Sequence, residues 1–298
     1  MPSLYVVATP IGNLEDVTLR ALRVLREVSL IAAEDTRTTR KLLAHHAVPA
    51  GRQGIRQRLV SYNEHNKAAR IPRLLAALRD GDVALVSEGG TPVISDPGLD
   101  LVAAALEAGF AVVPVPGPSA VTAALAVSGL PSRQFTYLGF LPRRAGERRR
   151  LFAAFRDDPR TIVAFESPHR LRASLAALHE VLGDRRVAVC RELTKAYEEV
   201  FHGTLSEALS HFAEPRGEFT LVIAGAGAGS ISVHPEPVEG PPLHDRGDIT
   251  EQARRELARR RAAGQPAKTA VAEVAARYGL PRRTAYRLWL EGENHPAR

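Results

Sequence analysis

Short apolar segments alternate with amphipathic helical patterns through most of this chain. Residues 4–8 form an apolar run, and Leu19, Leu22 and Leu25 then recur at the three-residue spacing of a helix. Further apolar runs that predict strands lie at residues 30–33, 83–86 and 111–113. Such alternation is typical of a largely parallel sheet with helices on both faces. The sequence therefore predicts an α/β fold.

The pattern is interrupted at residues 115–119, VPGPS, and a second set of strands and helices follows. Strands are expected there at residues 135–138, 161–165, 187–190 and 219–224. A stretch rich in glycine and proline comes next and predicts a linker. The expected organisation is a first α/β domain at 1–115, a second at 116–226, a linker at 227–247 and a helical module at 248–298.

The C-terminal module is basic. Residues 241–298 carry a net charge of +5, out of +7 for the whole chain. Two predicted helices, 267–278 and 282–290, flank the turn 279–281 with the spacing of a helix-turn-helix. A nucleic-acid partner and a plain helical bundle with a solvated arginine face are both compatible with this pattern.

Several classes of protein are disfavoured. Cys190 is the single cysteine, which excludes an internal disulfide or a cysteine-rich zinc site, and it lies in an apolar strand without a neighbouring base. His45 and His46 lack further ligands at a metal-like spacing, so no metal is expected. The apolar runs are far shorter than the ~20 residues of a membrane span. A soluble, cytoplasmic protein is expected.

Three loops rich in glycine and proline follow predicted strands. They are residues 9–13 (TPIGN), 87–92 (SEGGTP) and 114–120 (PVPGPSA). Ligands of open α/β sheets bind at the carboxyl ends of strands, where such loops would meet. Neither a Walker A loop nor the dinucleotide fingerprint is present, which disfavours nucleotide-phosphate cradling.

Five longer motifs in order resemble one known family. They are residues 4–14 (LYVVATPIGNL), 32–37 (AAEDTR), 91–98 (TPVISDPG), 166–170 (ESPHR) and 191–195 (RELTK). Together they resemble the family of ribosomal RNA small subunit methyltransferase I, in the tetrapyrrole-methylase-like superfamily. Where that family usually has Asp-Ala-Gly, this chain has Glu88, Gly89 and Gly90. The carboxylate is kept but is one methylene longer.

The resemblance implies a fold and a reaction. The fold would be two α/β domains with S-adenosylmethionine (SAM) in the cleft between them. The reaction would be methyl transfer to the ribose 2′-hydroxyl of a cytidine in the decoding region of 16S rRNA in the small ribosomal subunit. A homodimer is expected from the superfamily. No metal is expected, because a sulfonium is a strong electrophile by itself, and no membrane contact is expected either.

The resemblance also implies which residues hold the cofactor. From the first half these are Pro10, Glu88, Gly90, Thr91, Gly117, Ser119 and Ala120. From the second half they are Phe165, Ser167 and Ala224. Much of this contact would be made by the backbone, because glycine lets the chain approach a ligand closely.

Methyl transfer requires alignment of the reacting atoms and a group that takes the hydroxyl proton. The predicted catalytic residues are Glu34, Arg37, Glu166, Arg191 and Lys195. The base itself stays open among Glu34, Asp35, Asp96, Glu166, Glu192 and Lys195. For each of them, an ion pair or helix cap at a strand end is the alternative.

Other functions remain open at this level. The run 143–150, RRAGERRR, is a candidate phosphate contact or simply a solvated loop. Methylation of a tetrapyrrole or of a protein side chain would suit the same superfamily. A DNA-binding regulator would instead use residues 248–298 for duplex binding and would not turn over SAM.

Overall fold

A computed structural model of the protein describes residues 2–49, 51–52, 55–227, 246–278 and 282–291. The chain forms two compact units, Met1–Gly229 and Ser230–Arg298. Most of the linker expected at 227–247, and the expected turn at 279–281, lie outside the described residues.

The N-terminal half of the first unit is built around a parallel sheet. The strands of this half are β1 (Ser3–Val7), β2 (Leu30–Ala33), β3 (Gly51–Arg52), β4 (Ile55–Arg56), β5 (Arg58–Ser61), β6 (Val83–Val86) and β7 (Ala111–Val115). Its helices are α1 (Leu19–Glu27), α2 (Thr36–His45), α3 (Lys67–Asp80), α4 (Leu99–Glu107) and α5 (Ala120–Val127), with a 3-10 turn at Leu14–Asp16. The sheet order is β5-β2-β6-β1-β7, while β3 and β4 pair with each other.

Both faces of this sheet are covered. In β6, Val83 and Leu85 pack in one cluster with residues of α3 and α4, whereas Ala84 and Val86 pack in another with residues of α1 and α2. Successive side chains of a strand point to opposite faces, so a strand buried on both sides must be apolar throughout. This explains the uninterrupted apolar runs of the sequence and confirms the predicted α/β class.

The second half of this unit contains a mixed sheet. Its strands are β8 (Phe135–Phe140), β9 (Thr161–Glu166), β10 (Arg186–Arg191), β11 (Glu199–Thr204) and β12 (Phe219–Ile223), in the order β11-β10-β12-β9-β8. Only β8 and β9 run parallel among the described pairs of this sheet. Its helices are α6 (Ala145–Ala153), α7 (Pro168–Leu182) and α8 (Leu205–His211).

Helix α5 connects the two halves of the unit in sequence and packs on the second sheet. Val121 and Leu125 of α5 share a buried cluster with Val163, Cys190 and Val222. The opposite face of that sheet is covered by α6, α7 and α8. Burial raises the pKa of the Cys190 thiol to about 12, as expected for an inert core cysteine.

The second unit contains α9 (Arg246–Ala262), α10 (Ala267–Tyr278) and α11 (Arg282–Glu291). It has its own core, in which Leu257, Val274, Leu288 and Trp289 are buried. The guanidinium of Arg261 lies 4.4 Å from the Trp289 ring centre, a cation–π contact. None of the described helices combines the length and apolarity that crossing a bilayer would require.

Candidate active site

Three loops converge at the carboxyl edge of the parallel sheet. Thr9, after β1, and Gly90, after β6, exchange two backbone hydrogen bonds of 2.9 Å. The Thr91 hydroxyl donates to the carbonyl of Pro118, after β7, over 3.3 Å. Gly90 has a φ of +86°, a conformation that glycine adopts without strain.

Glycines allow these loops to pack closely. A Cβ on Gly89 would lie 3.0 Å from the Pro10 carbonyl oxygen, and one on Gly117 would lie 3.1 Å from the Ala8 Cβ. Ser119 is the N-cap of α5 and Ala120 is its first residue. The structure thus gathers into one region the residues predicted from the first half to hold a cofactor: Pro10, Glu88, Gly90, Thr91, Gly117, Ser119 and Ala120.

A group of carboxylates lies at the same edge. The Glu88 backbone N–H donates to Glu34 Oε2 over 3.1 Å, which joins the loops after β2 and β6. Asp96 lies near Ser87, whose hydroxyl donates to the Gly90 carbonyl over 3.5 Å. Burial, together with the negative charges of Glu34 and Glu88, raises the pKa of Asp96 to about 7. Burial also raises the pKa of Glu34, despite the bond from Glu88.

Asp35 and Arg37 form a pair of their own. Asp35 is the N-cap of α2, accepts the Arg37 backbone N–H at 2.7 Å, and holds the Arg37 guanidinium 2.7 Å away. These bonds lower the pKa of Asp35 to about 2. Asp35 is therefore a cap and an ion-pair partner, whereas the Arg37 side chain is exposed to solvent.

The second sheet faces this region with aromatic side chains. Tyr137 of β8 bonds through its hydroxyl to Ser95 Oγ over 2.6 Å. The Phe165 ring, near the end of β9, makes edge contacts with Tyr137 and Phe140, with centroids 5.3 and 5.6 Å apart. The loop that contains Asp96 is therefore tied to the second sheet by its neighbour Ser95.

Glu166, a predicted catalytic residue, is enclosed. Its carboxylate lies 2.6 Å from Arg170 Nη2 and accepts bonds from Ser174 Oγ at 2.5 Å and the Ser167 backbone N–H at 2.8 Å. Ser167, predicted to touch the cofactor, is the N-cap of α7. Ala224, also predicted to touch it, is buried behind β12 in the cluster that contains Cys190.

Arg191 and Lys195 are both held by carboxylates. Arg191 donates to Glu199 Oε2 at 3.1 Å and to the Arg216 carbonyl at 2.7 Å. Lys195 Nζ donates to Glu192 Oε1 at 3.0 Å and to Glu218 Oε2 at 2.9 Å. Burial lowers the pKa of Lys195, but the two carboxylates outweigh it and the net pKa is raised. The raised pKa favours the ammonium form of Lys195.

The loop after β10 meets the turn after β1. The Asn13 backbone N–H donates to Thr194 Oγ1 over 3.0 Å. A cleft of about 670 Å³ opens beside this contact, and Gly12, Asn13, His45, Thr194, Lys195 and Ala196 are among the residues that line it. Among the described residues, no three His, Cys, Asp or Glu side chains are grouped as metal ligands would be.

The arginines of the candidate phosphate contact at 143–150 differ in their burial and in their partners. Arg148 is only 6% exposed and donates to the carbonyls of Pro142 and Ala173, so the expectation of a solvated or RNA-binding side chain is wrong for it. Arg144 pairs with Glu147, and Arg149 pairs with Glu180. The helical pattern of α6 turns Arg148 toward the core.

Two features of the site carry little signal in the sequence. Asp96 is one of six candidate bases, and its signals are its place in the motif 91–98 and its position after a strand. Tyr137 was not identified, since a tyrosine inside a strand gives no indication that its hydroxyl reaches Ser95 on the other half of the unit.

The sequence matches the family model of tetrapyrrole (corrin/porphyrin) methylases over residues 3–209. It is 44% identical over 291 residues to the ribosomal RNA small subunit methyltransferase I of Halalkalibacterium halodurans, covering 96% of this chain and 94% of that protein. The chain belongs to the ribosomal RNA small subunit methyltransferase I family. The relative of that name from Thermotoga maritima is 50% identical over 228 residues, which are 76% of this chain and 99% of that protein.

Solved structures place this family member in the tetrapyrrole methylase fold. The uroporphyrin-III C-methyltransferase of Thermus thermophilus, complexed with S-adenosylhomocysteine, has a TM-score of 0.52 at 22% identity and covers 75% of this chain and 97% of its own. A cobalt precorrin-4 methyltransferase has a TM-score of 0.52 at 17% identity and covers 75% and 94%. At these identities the likeness concerns the fold, which is the one that the sequence predicts.

Proposed function

We propose that the chain is a SAM-dependent methyltransferase that methylates the ribose 2′-hydroxyl of a cytidine in the decoding region of 16S rRNA. The observation that carries this proposal is the 44% identity, over 96% of the chain, to a protein named ribosomal RNA small subunit methyltransferase I. We further propose that the protein acts in the cytoplasm on the small ribosomal subunit, as a homodimer.

The carboxyl edge of the parallel sheet fits SAM. Glycine-rich loops meet there in close contact, and backbone groups can approach a ligand without a Cβ between them. Glu34, Glu88 and the ionised fraction of Asp96 supply negative charge, which favours a cationic sulfonium. When bound there, SAM would supply an electrophilic methyl group. The likeness to a fold neighbour complexed with S-adenosylhomocysteine is consistent with this placement.

Ion pairing separates the candidate bases. Asp35, Glu166, Glu192 and Lys195 each have an oppositely charged partner. Glu34 and Asp96 form no salt bridge within the described part of the chain, and burial raises the pKa of both, which brings each closer to the range in which a carboxylate takes up a proton. We assign Glu34, the one of the two that belongs to the predicted catalytic residues, as the group that takes the hydroxyl proton, and we assign Asp96 to the sulfonium of the cofactor.

The other predicted catalytic residues receive different roles in this proposal. Glu166 positions Arg170 and the start of α7, while Arg191 and Lys195 position the loop after β10. Arg37 follows Glu34 closely in the sequence and its side chain is exposed to solvent. We therefore assign Arg37 to a phosphate of the RNA, which a guanidinium binds well.

The test is transfer of labelled methyl from SAM to small subunits that lack the modification, with nuclease mapping of the product. A 2′-O-methylcytidine in the decoding region is the expected product. Glu34→Gln should lower kcat about 100-fold while SAM still binds. The exposed Glu147→Gln on α6 is the control and should match the wild type. Transfer to a small molecule or protein, but not to subunits, would refute the proposal.

A further inference from the structure

The segment 192–198 is a rigid loop. Glu192 and Thr194 have φ values of 49° and 67°, which are unfavourable for residues other than glycine. Several bonds hold this conformation: Glu192 N–H to the Glu218 carbonyl at 3.0 Å, Lys195 N–H to the Glu192 carbonyl at 3.0 Å, and Glu218 N–H to Glu192 Oε1 at 2.8 Å. A conformation of this kind persists only when its surroundings over-determine it.

The loop is also fixed from both sides. Leu193 is buried in the cluster beneath α5. On the other side, a Cβ on Gly12 would lie only 2.4 Å from Lys195 Cγ and 2.8 Å from Thr194 Oγ1, so the turn after β1 packs directly on the loop. The position of residues 194–196 relative to the cleft is therefore set by both halves of the unit.

This rigid loop presents one aromatic ring to solvent. Tyr197 directly follows Ala196, which lines the cleft, and it is 78% exposed. It is the most exposed Phe, Tyr or Trp among the described residues. The hydrogen bond from Glu198 N–H to the Lys195 carbonyl, 3.1 Å long, closes the loop around it. An exposed ring on a fixed backbone loses little conformational entropy when a flat partner binds.

The charges around the ring select the kind of partner. Glu198 is its chain neighbour, and the carboxylate of Glu218, 81% exposed, approaches the same loop through Lys195. These carboxylates repel phosphate, which disfavours contact with an RNA backbone. A neutral base has a flat face that stacks on tyrosine, and unpaired RNA bases are commonly recognised in this way.

We infer that Tyr197 is a stacking platform for an unpaired base of the substrate RNA at the mouth of this cleft. The inference rests on the proposed rRNA substrate and adds to it a residue that contacts the RNA. We assign Tyr197 a role in binding the substrate, since the proton transfer is assigned to Glu34.

The test compares Tyr197→Ala, Tyr197→Phe and the wild type, with unmethylated small subunits as the probe. Tyr197→Ala should raise KM for subunits about tenfold with kcat nearly unchanged, as expected when one stacked base is lost. Tyr197→Phe keeps the ring and should match the wild type. The affinity for SAM, measured by calorimetry, should be the same in all three proteins.

Leu106→Ala is the matched control. Leu106 is also an exposed apolar residue, at 58%, but it lies at the end of α4, away from the carboxyl edge where that helix begins. It should leave KM unchanged. A KM for Tyr197→Ala within twofold of the wild type, an equal loss in Tyr197→Phe, or a change of oligomeric state in Tyr197→Ala would each overturn the inference. If the wild type transfers no methyl to subunits, the proposed function itself fails, and the inference fails with it.

Discussion

Asp96 retains its proton to unusually high pH because it is partly buried beside Glu34 and Glu88, and its pKa is about 7. A bound sulfonium would favour the ionised carboxylate and lower that pKa. SAM binding at pH 7 should therefore release a fraction of a proton, and the affinity should rise with pH up to about 7 and then level off. Calorimetry in two buffers with different ionisation enthalpies measures this release directly.

Asp96→Asn is the matching variant. It should bind SAM about tenfold more weakly at pH 8 and without linked proton release. In the absence of SAM, the raised pKa of Asp96 makes folding less favourable as pH rises from the unfolded value of 3.8 to about 7. The variant should lose that part of the pH dependence of unfolding. Equal heats in both buffers for the wild type would contradict the assignment.

Glu166 is expected to matter for stability. Its removal would leave Arg170 without its ion-pair partner and Ser174 without its acceptor. Glu166→Ala should lower the free energy of unfolding by about 3 kcal/mol, as is usual when one member of a buried pair is lost. Urea denaturation measures this change. Glu147→Ala, which removes an exposed pair with Arg144, should change it by less than about 0.5 kcal/mol.

The sequence identifies these residues more readily than their roles. The motifs at 166–170 and 191–195 point to Glu166 and Lys195, but one partner of each lies outside its motif: Ser174 for Glu166 and Glu218 for Lys195. Whether a carboxylate is free or paired depends on such contacts. A one-dimensional pattern therefore points to candidate residues but cannot choose the base among them.

Among the strands of the two five-stranded sheets, those that the sequence pattern missed are edge strands. β5 and β11 each lie at one end of a sheet, and neither was predicted. Both are only partly buried, so they lack the continuous apolar run that reveals β2, β6 and β12. The antiparallel pairing of β10 with β11 was missed for the same reason, and a mixed second sheet was not foreseen.

The contact between the turn after β1 and the loop after β10 can be tested by a double-mutant cycle. Gly12→Ala places a methyl group against Lys195 and Thr194 and should cost about 2 kcal/mol of unfolding free energy. In a Lys195→Ala background, where Cγ is absent, the cost should fall by about 1 kcal/mol. Gly146→Ala in α6 has open space around it and should not destabilise. Additive costs would show that Gly12 does not pack against the Lys195 side chain.

At the scale of the whole molecule, the two units differ in what they can contribute to methyl transfer. The parallel sheet, the mixed sheet and every site residue discussed above belong to the unit Met1–Gly229. The Thermotoga maritima relative matches this chain over 228 residues, which is nearly its full length and close to the length of this unit. That relative therefore has almost no residues beyond the 228 that match this chain.

Deletion of residues 230–298 should therefore weaken binding of the ribosomal subunit without changing SAM binding or the methyl-transfer step. The shortened protein keeps its own buried clusters, so it should fold and bind SAM within twofold of the wild type. The deleted unit contains α9, whose last turn carries Arg259, Arg260 and Arg261, and its basic charge should favour docking on RNA. Methyl transfer should show an unchanged kcat and a KM for subunits that is about tenfold higher and less sensitive to salt. Loss of SAM binding would mean that the second unit supports the site, whereas an unchanged KM would mean that it does not dock the substrate.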